Sequence, residues 1–337
     1  MPAHQAVQVP SAGGPLGLVE VQTASPGRYH VRIDVAACGI CGSDHLIVNG
    51  GFPGLSFPVT PGHEIAGTVA EVGEGVEGFA VGDRVAVGWF GGHCNHCIPC
   101  RKGDFITCEN LQVPSWQYPG GYAQSVIAPA NALARIPDGL SFAEAAPMGC
   151  AGVTTYNALR HTSAQPGDLV AVLGIGGLGH LGVQFARAMG FETVAIARGK
   201  SKEADALELG AHHYVDSNAG DVSQALQALG GMAAVLATAA NSRAIGQTVG
   251  GLAPRGELVV VGVSADPLPI TPAQLIMPAA RVTGHPSGTA RDVEETMHFA
   301  VVSGVRARIE ERPLSAAAEA YAAMEEGRAR YRMVLTM

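Results

Sequence analysis

Cys94, Cys97, Cys100 and Cys108 follow one another as C-x2-C-x2-C-x7-C inside a glycine-rich, polar segment. Four thiolates so close in sequence can surround one tetrahedral Zn²⁺ and leave no coordination position for a substrate, so the spacing predicts a structural zinc lobe over residues 91–110. The segment has little apolar content of its own, and metal binding is expected to supply its folding free energy. The chain has seven cysteines, and the stretch from Met1 to Glu20 lacks a cationic lead followed by an apolar core. Together these features read as a cytoplasmic protein whose thiols serve metal or catalysis rather than disulfides.

A second chemical signal is Gly174-Ile175-Gly176-Gly177-Leu178-Gly179, which follows the apolar run Leu169 to Leu173. Leu178, Leu181, Phe185 and Met189 then recur on one helical face up to Gly190. That strand-turn-helix context turns a weak G-x-G-x-x-G match into a dinucleotide site. Gly174 permits the tight turn, Gly176 the approach of backbone to a pyrophosphate, and Gly179 close helix-sheet packing; the helix start at Gly177 and Leu178 faces the phosphates.

The elements that must position these groups fall into two textures. The first half is broken into short β-branched runs, His30 to Val35, Ile65 to Val72 and Arg84 to Val87, bounded by Gly, Pro or Asp, as in an antiparallel, loop-rich β domain. After about Ser141, apolar runs alternate with Ala/Leu-rich helical stretches: Leu169 to Leu173, Thr193 to Ala197, Ala234 to Thr238 and Leu258 to Val261. This is the α/β pattern of a doubly wound parallel sheet. From His285 onward a helix over Ala316 to Met324 and a strand over Met333 to Thr336 are expected. A length of 337 residues suits two domains. The formal net charge of −8, with Lys and Arg scattered, gives no footprint for nucleic acid, and no run of 18 apolar residues points to a membrane.

Three more residues stand in distinctive surroundings: Cys41-Gly42-Ser43-Asp44, Gly62-His63-Glu64, and Cys150-Ala151-Gly152-Val153-Thr154. Each alone is weak, since a buried cysteine is usually a small hydrophobe. Taken together, the GHE-x2-G-x-V run, the four-cysteine lobe and the CAG-x-T-x-Y segment make nearly the whole chain resemble the zinc-containing alcohol dehydrogenases of the medium-chain dehydrogenase/reductase superfamily. Alcohol dehydrogenase is also the standard example of a Cys2His catalytic zinc site.

The resemblance implies a GroES-like catalytic domain over residues 1–150, a Rossmann domain over 151–283 and a return to the catalytic domain over 284–337. It implies reversible hydride transfer between an alcohol, or its aldehyde or ketone, and NAD(P), with two zinc ions per chain. Cys41, His63 and Cys150 match the catalytic zinc ligands, Glu64 a carboxylate able to exchange onto the metal, Asp44 the acceptor that orients His63, and Ser43 the hydroxyl that joins the substrate oxygen to a proton path. Such a zinc is a Lewis acid that favours alkoxide over alcohol at neutral pH. Thr154 is expected against the nicotinamide, Arg332 on the pyrophosphate, Val261 in a loop flanking the cofactor, and Phe52 and Trp89 in the alcohol pocket. A homodimer or homotetramer is expected. The sequence departs from the family at Leu46, where a relay histidine is usual and His45 stands one place earlier, and at Gly42, where a phosphate-contacting Arg or His is common. Zinc-free reductases of the same superfamily are the alternative; they have no reason to keep all seven ligand positions filled.

Cofactor choice rests on the second strand of the Rossmann domain. NAD-selective sites place an Asp or Glu about 20 residues beyond the glycines to bind the ribose hydroxyls. Here the strand ends in Ala197-Arg198-Gly199-Lys200, with no acid at its tip. Arg198 and Lys200 can instead pair with a 2′-phosphate, so NADP is expected over NAD.

Overall fold

The computed structural model describes residues 2–337. The chain divides into two compact units, one comprising Met1–Val153, Gly288–Val302 and Arg306–Met337, the other Thr154–Ser287 and Ser303–Val305.

The first unit is built on a seven-stranded mixed sheet. Its central strand, His30–Gly39, alternates Val31, Ile33 and Val35 inward with Arg32 and Asp34 outward, the period-two pattern of a half-buried strand. Glu64–Val72 and Ser125–Pro129 flank it antiparallel, and Arg84–Val87 extends the sheet from Glu64–Val72. On the other side Arg332–Thr336 pairs antiparallel with the central strand, and Ile309–Pro313 adds to it in parallel. The last residues of the chain therefore complete the sheet that its first third begins. Val31, Ile33, Ile65, Val69, Val85, Met333 and Leu335 meet in one core beneath the helix Ala317–Glu325.

The second unit holds six parallel strands with helices between them. In chain order they are Leu169–Leu173, Glu192–Ala197, His213–Asp216, Met232–Ala237, Leu252–Val260 and Arg281–Gly284. In space they lie in the order third, second, first, fourth, fifth, sixth, the arrangement of the Rossmann fold. Strands buried on both faces read as unbroken Val, Ile, Leu and Ala runs.

The fifth strand is longer than its β-branched run suggests and ends one residue sooner. Leu252 already pairs with Met232, and Pro254, left-handed Arg255 and Gly256 are carried across an irregularity in register before Glu257 resumes the ladder. Those residues have low strand propensity, so the sequence shows only the part from Leu258. Val261 lies just past the end, its amide donating to Ala237 O at 3.1 Å. Among the described residues no helix is long and apolar enough to cross a membrane.

Candidate metal and dinucleotide sites

Cys41 lies two residues beyond the central strand, and Asp44 opens the short helix Asp44–Val48. His63 immediately precedes Glu64–Val72, while Cys150 follows the 3-10 turn Ala146–Gly149. Gly88 lets that turn approach the end of Arg84–Val87, since a Cβ there would stand 1.9 Å from Gly149 O. One ligand atom from each of Cys41, His63, Glu64 and Cys150 comes within 4.8 Å of the others, and all four residues are buried. The Cys41 and Cys150 sulfurs are 3.9 Å apart. A tetrahedron with Zn–S of about 2.3 Å has sulfurs about 3.8 Å apart.

His63 Nδ1 is 3.0 Å from Asp44 Oδ1, whereas Nε2 is buried with no partner. A buried polar atom left unpaired is costly, and this one is the ring nitrogen free to ligate. The donor set and the orphaned nitrogen fit a zinc ion. The electrostatics of the cluster suit a site that exchanges protons for metal. The facing Cys150 thiol draws Cys41 well below the ordinary thiol range, against burial, and Cys150 itself is raised. Burial opposes charge on His63, yet Asp44 and Cys41 hold its pKa well above the usual value. A metal entering such a cluster displaces protons.

Glu64 is pushed up to about 7 by burial, which outweighs the Arg332 guanidinium beside it. Arg332 Nη2 lies 2.5 Å from both carboxylate oxygens, and its Nε is buried without a partner. Arg332, expected on a pyrophosphate, is only 3 % exposed and pairs with Glu64. Ser43 sits at the N-cap position but makes no capping hydrogen bond. His45 turns to Glu325, with Nδ1 2.6 Å from Oε2.

An aromatic series starts at the cluster. Trp89 meets His63 edge-on at 5.0 Å between ring centres, Phe52 lies 5.9 Å from Trp89, and Trp116 stacks on Phe52 at 4.5 Å. All three apolar rings are partly exposed.

The second cysteine cluster gathers Cys94, Cys97, Cys100 and Cys108 with all four sulfurs within 4.8 Å. Cys97 and Cys108 are 3.8 Å apart, Cys94 and Cys108 3.6 Å. Backbone amides point at the sulfurs: Cys97 N at Cys94, and Cys94 N and Asn110 N at Cys108, at 3.3–3.4 Å. Asn110 Nδ2 adds a contact to Cys94. Against desolvation, such donors lower Cys94 to about 5, in the thiolate range a metal needs. Among the described residues this small cluster adds only Phe105 and Leu111 to its cysteines, so its cohesion depends on what the sulfurs hold.

In the second unit, Gly174 has φ +92° and turns the chain out of its strand. A Cβ on Gly179 would lie 1.7 Å from Gly174 O, while one on Gly176 would meet nothing within 4 Å. The turn is thus closed on the sheet side and open at Gly176, with Gly177 and Leu178 leading into the helix Gly179–Ala188. Thr238 Oγ1 donates to Leu173 O and Gly174 O, and Lys202 Nζ donates to Ile175 O at 2.5 Å. Arg198 and Lys200 are exposed. Asp216 on the neighbouring strand pairs in register with Ala197, and its Oδ1 accepts from the amides of Gly199 and Asn218. Thr154 is buried in the helix Ala151–Arg160.

Sequence reasoning did not single out Tyr122, Asn110, Trp116 or Lys202. The Gly120-Gly121 pair before Tyr122 signals close backbone approach, but the partner of the phenol is 78 residues away. Nothing in local pattern marks the other three.

Residues 27–138 match the family model described as alcohol dehydrogenase GroES-like domain, and residues 177–301 the one described as zinc-binding dehydrogenase. Among relatives, the alcohol dehydrogenase patD of Penicillium expansum is 42% identical over 96% of this chain and 95% of its own. The cinnamyl alcohol dehydrogenase SbCAD4 of Sorghum bicolor superposes with a TM-score of 0.91 at 30% identity, covering 99% of this chain and 98% of the other. CAD from Helicobacter pylori, complexed with NADP(H), does so with a TM-score of 0.88 at 26% identity and the same coverages.

Proposed function

From the premise that this chain belongs to the zinc-containing alcohol dehydrogenases of the medium-chain dehydrogenase/reductase superfamily, we propose that Cys41, His63 and Cys150 hold its catalytic zinc and Cys94, Cys97, Cys100 and Cys108 a structural one. The protein is an oxidoreductase that moves hydride reversibly between an alcohol or its carbonyl counterpart and a nicotinamide dinucleotide. The observation that carries the site assignment is the buried convergence of three ligand side chains on one point, with His63 Nε2 unpartnered.

When bound, zinc supplies Lewis acidity toward the substrate oxygen and lowers the cost of removing its proton. The chain's own groups do the rest. Asp44 fixes the His63 ring. Ser43, with its hydroxyl unspent on capping, accepts the proton leaving the substrate alcohol. Glu64, restrained by Arg332, keeps a carboxylate oxygen close to the metal position. His45, one place before the usual relay position, is paired with Glu325 instead of with Ser43.

Phe52 and Trp89 line the substrate end, extended by Trp116. Rings in series favour planar, unsaturated alcohols and aldehydes through offset and edge contacts of about 0.5–1.5 kcal/mol each. The likeness to a protein named cinnamyl alcohol dehydrogenase supports that class. The dinucleotide lies on Gly174, Gly176, Gly177, Leu178 and Gly179, with Thr154 and Val261 beside it. NADP is favoured over NAD, because Arg198 and Lys200 stand where an acid is missing and a neighbour is complexed with NADP(H). On this reading the chain comprises a GroES-like domain over 1–150, a Rossmann domain over 151–283 and a C-terminal return to the first domain over 284–337. The enzyme works in the cytoplasm, where thiols stay reduced and available to zinc, as a homodimer or homotetramer. A panel of primary, secondary, allylic and aromatic alcohols with each cofactor, followed at the nicotinamide absorbance, tests this reading. Turnover of allylic or aromatic members with NADP supports it, and no turnover of any alcohol contradicts it.

A further inference from the structure

Asp44 is fully buried and receives three donors. Oδ1 faces His63 Nδ1 at 3.0 Å, while Oδ2 accepts from Cys41 N at 2.9 Å and from the Tyr122 hydroxyl at 2.8 Å. The carboxylate thereby joins two metal-ligating residues and one phenol that the reaction itself does not use. Tyr122 is also fully buried, and burial together with the Asp44 charge keeps its hydroxyl protonated, hence a donor.

The backbone of the same residue is tied to the segment that leads into His63. Gly120 N donates to Thr60 O, Gly121 N to Gly62 O, and Tyr122 N to Pro61 O, at 2.7–2.9 Å. The ring then lies on Gly62. A Cβ at that position would stand 2.3 Å from Tyr122 Cδ1, and Gly62 has φ +99°. Tyr122 therefore grips His63 twice: through the strand-like pairing that sets its main chain, and through the carboxylate that sets its ring.

We infer that Tyr122 is a positioning residue for the catalytic metal site, whose O–H holds Asp44 so that His63 presents Nε2 to zinc. The inference rests on Cys41, His63 and Cys150 being that site. A buried carboxylate that loses a donor is free to rotate away from Nδ1, and partners of this kind typically change metal affinity by about 10- to 100-fold when removed.

Zinc-loaded holoenzyme is mixed with excess chromophoric chelator, and release is followed for wild type, Tyr122→Phe, Asp44→Asn and the double variant. Wild type is expected to show two phases, of which one is missing in Cys41→Ser. That phase should accelerate about tenfold in Tyr122→Phe, with the other phase unchanged. The double variant should release little faster than Asp44→Asn, because both changes act through one carboxylate. Cobalt substituted for zinc should show a shifted visible band in Tyr122→Phe. A ring that merely fills space predicts an altered melting temperature with unchanged release and cobalt spectrum, and that result overturns the inference. Should Tyr122→Phe fail to fold, 3-fluorotyrosine at position 122 keeps the shape and donates more strongly: slower release supports the role, unchanged release overturns it. A single phase in wild type removes the site assignment, and the inference with it.

Discussion

Glu64 and Arg332, separated by 268 residues, form a buried pair in which Nη2 of the arginine lies 2.5 Å from both carboxylate oxygens. Each opens a strand of the same sheet, Glu64–Val72 and Arg332–Thr336, and the central strand His30–Gly39 runs between those two. The pair fastens the strand Arg332–Thr336 to the edge of the Cys41, His63 and Cys150 cluster. At a pH where Glu64 is ionised, Arg332→Met should cost about 3–5 kcal/mol, because it leaves an uncompensated buried carboxylate, whereas Arg332→Met with Glu64→Gln should recover much of the loss. Urea unfolding of the three proteins measures this. A loss under about 1 kcal/mol in the single variant would mean that the pair contributes no more than a surface ion pair.

Cys100→Ser should remove one zinc per chain and lower the melting temperature, with the dinucleotide still bound. The lobe's hydrophobic cluster amounts to little beyond its cysteines, Phe105 and Leu111. Metal analysis beside a thermal scan checks the outcome; full zinc content at an unchanged melting temperature would contradict it.

How much of this was legible in the sequence follows from the reach of each interaction. The alternation of Val31, Ile33 and Val35, the apolar run at Leu169–Leu173 and the C-x2-C-x2-C-x7-C spacing are local, and local periodicity is what a sequence displays. The fifth Rossmann strand was half hidden, because Pro254 and Gly256 disguise its first turns of ladder. Arg332 was read toward a phosphate by resemblance, and only three-dimensional pairing revealed its carboxylate partner. Tyr122 on Asp44 and Trp116 on Phe52 each join segments more than 60 residues apart with no periodic signature, so neither was readable.

Gly179→Ala should weaken dinucleotide binding and stability together. Its Cβ would lie 1.7 Å from Gly174 O, so the helix must move off the turn. Strain of this kind costs about 1–3 kcal/mol. Titration of cofactor by fluorescence, with a melting curve, checks it; wild-type affinity and stability would show that the turn tolerates a side chain.

Arg198→Ala should reduce kcat/KM for NADP about 10- to 100-fold and leave NAD nearly unchanged, as expected for one charge-assisted bond of about 1.5–3 kcal/mol. Asp216, at the end of the neighbouring strand, spends Oδ1 on the amides of Gly199 and Asn218. A wild-type preference for NAD of tenfold or more, indifferent to the substitution, would mean that Arg198 is only a solvated charge.

The central claim is that chemistry at the substrate oxygen depends on a metal held by Cys41, His63 and Cys150. Its most direct test is kcat for His63→Ala on an alcohol the wild type turns over, at saturating cofactor. The metal acts on the substrate oxygen and the dinucleotide is held elsewhere, so kcat should fall to the limit of detection while the cofactor Kd changes no more than a few-fold. Retention of more than about a tenth of wild-type kcat, a loss under about 1.4 kcal/mol of transition-state stabilisation, would contradict it.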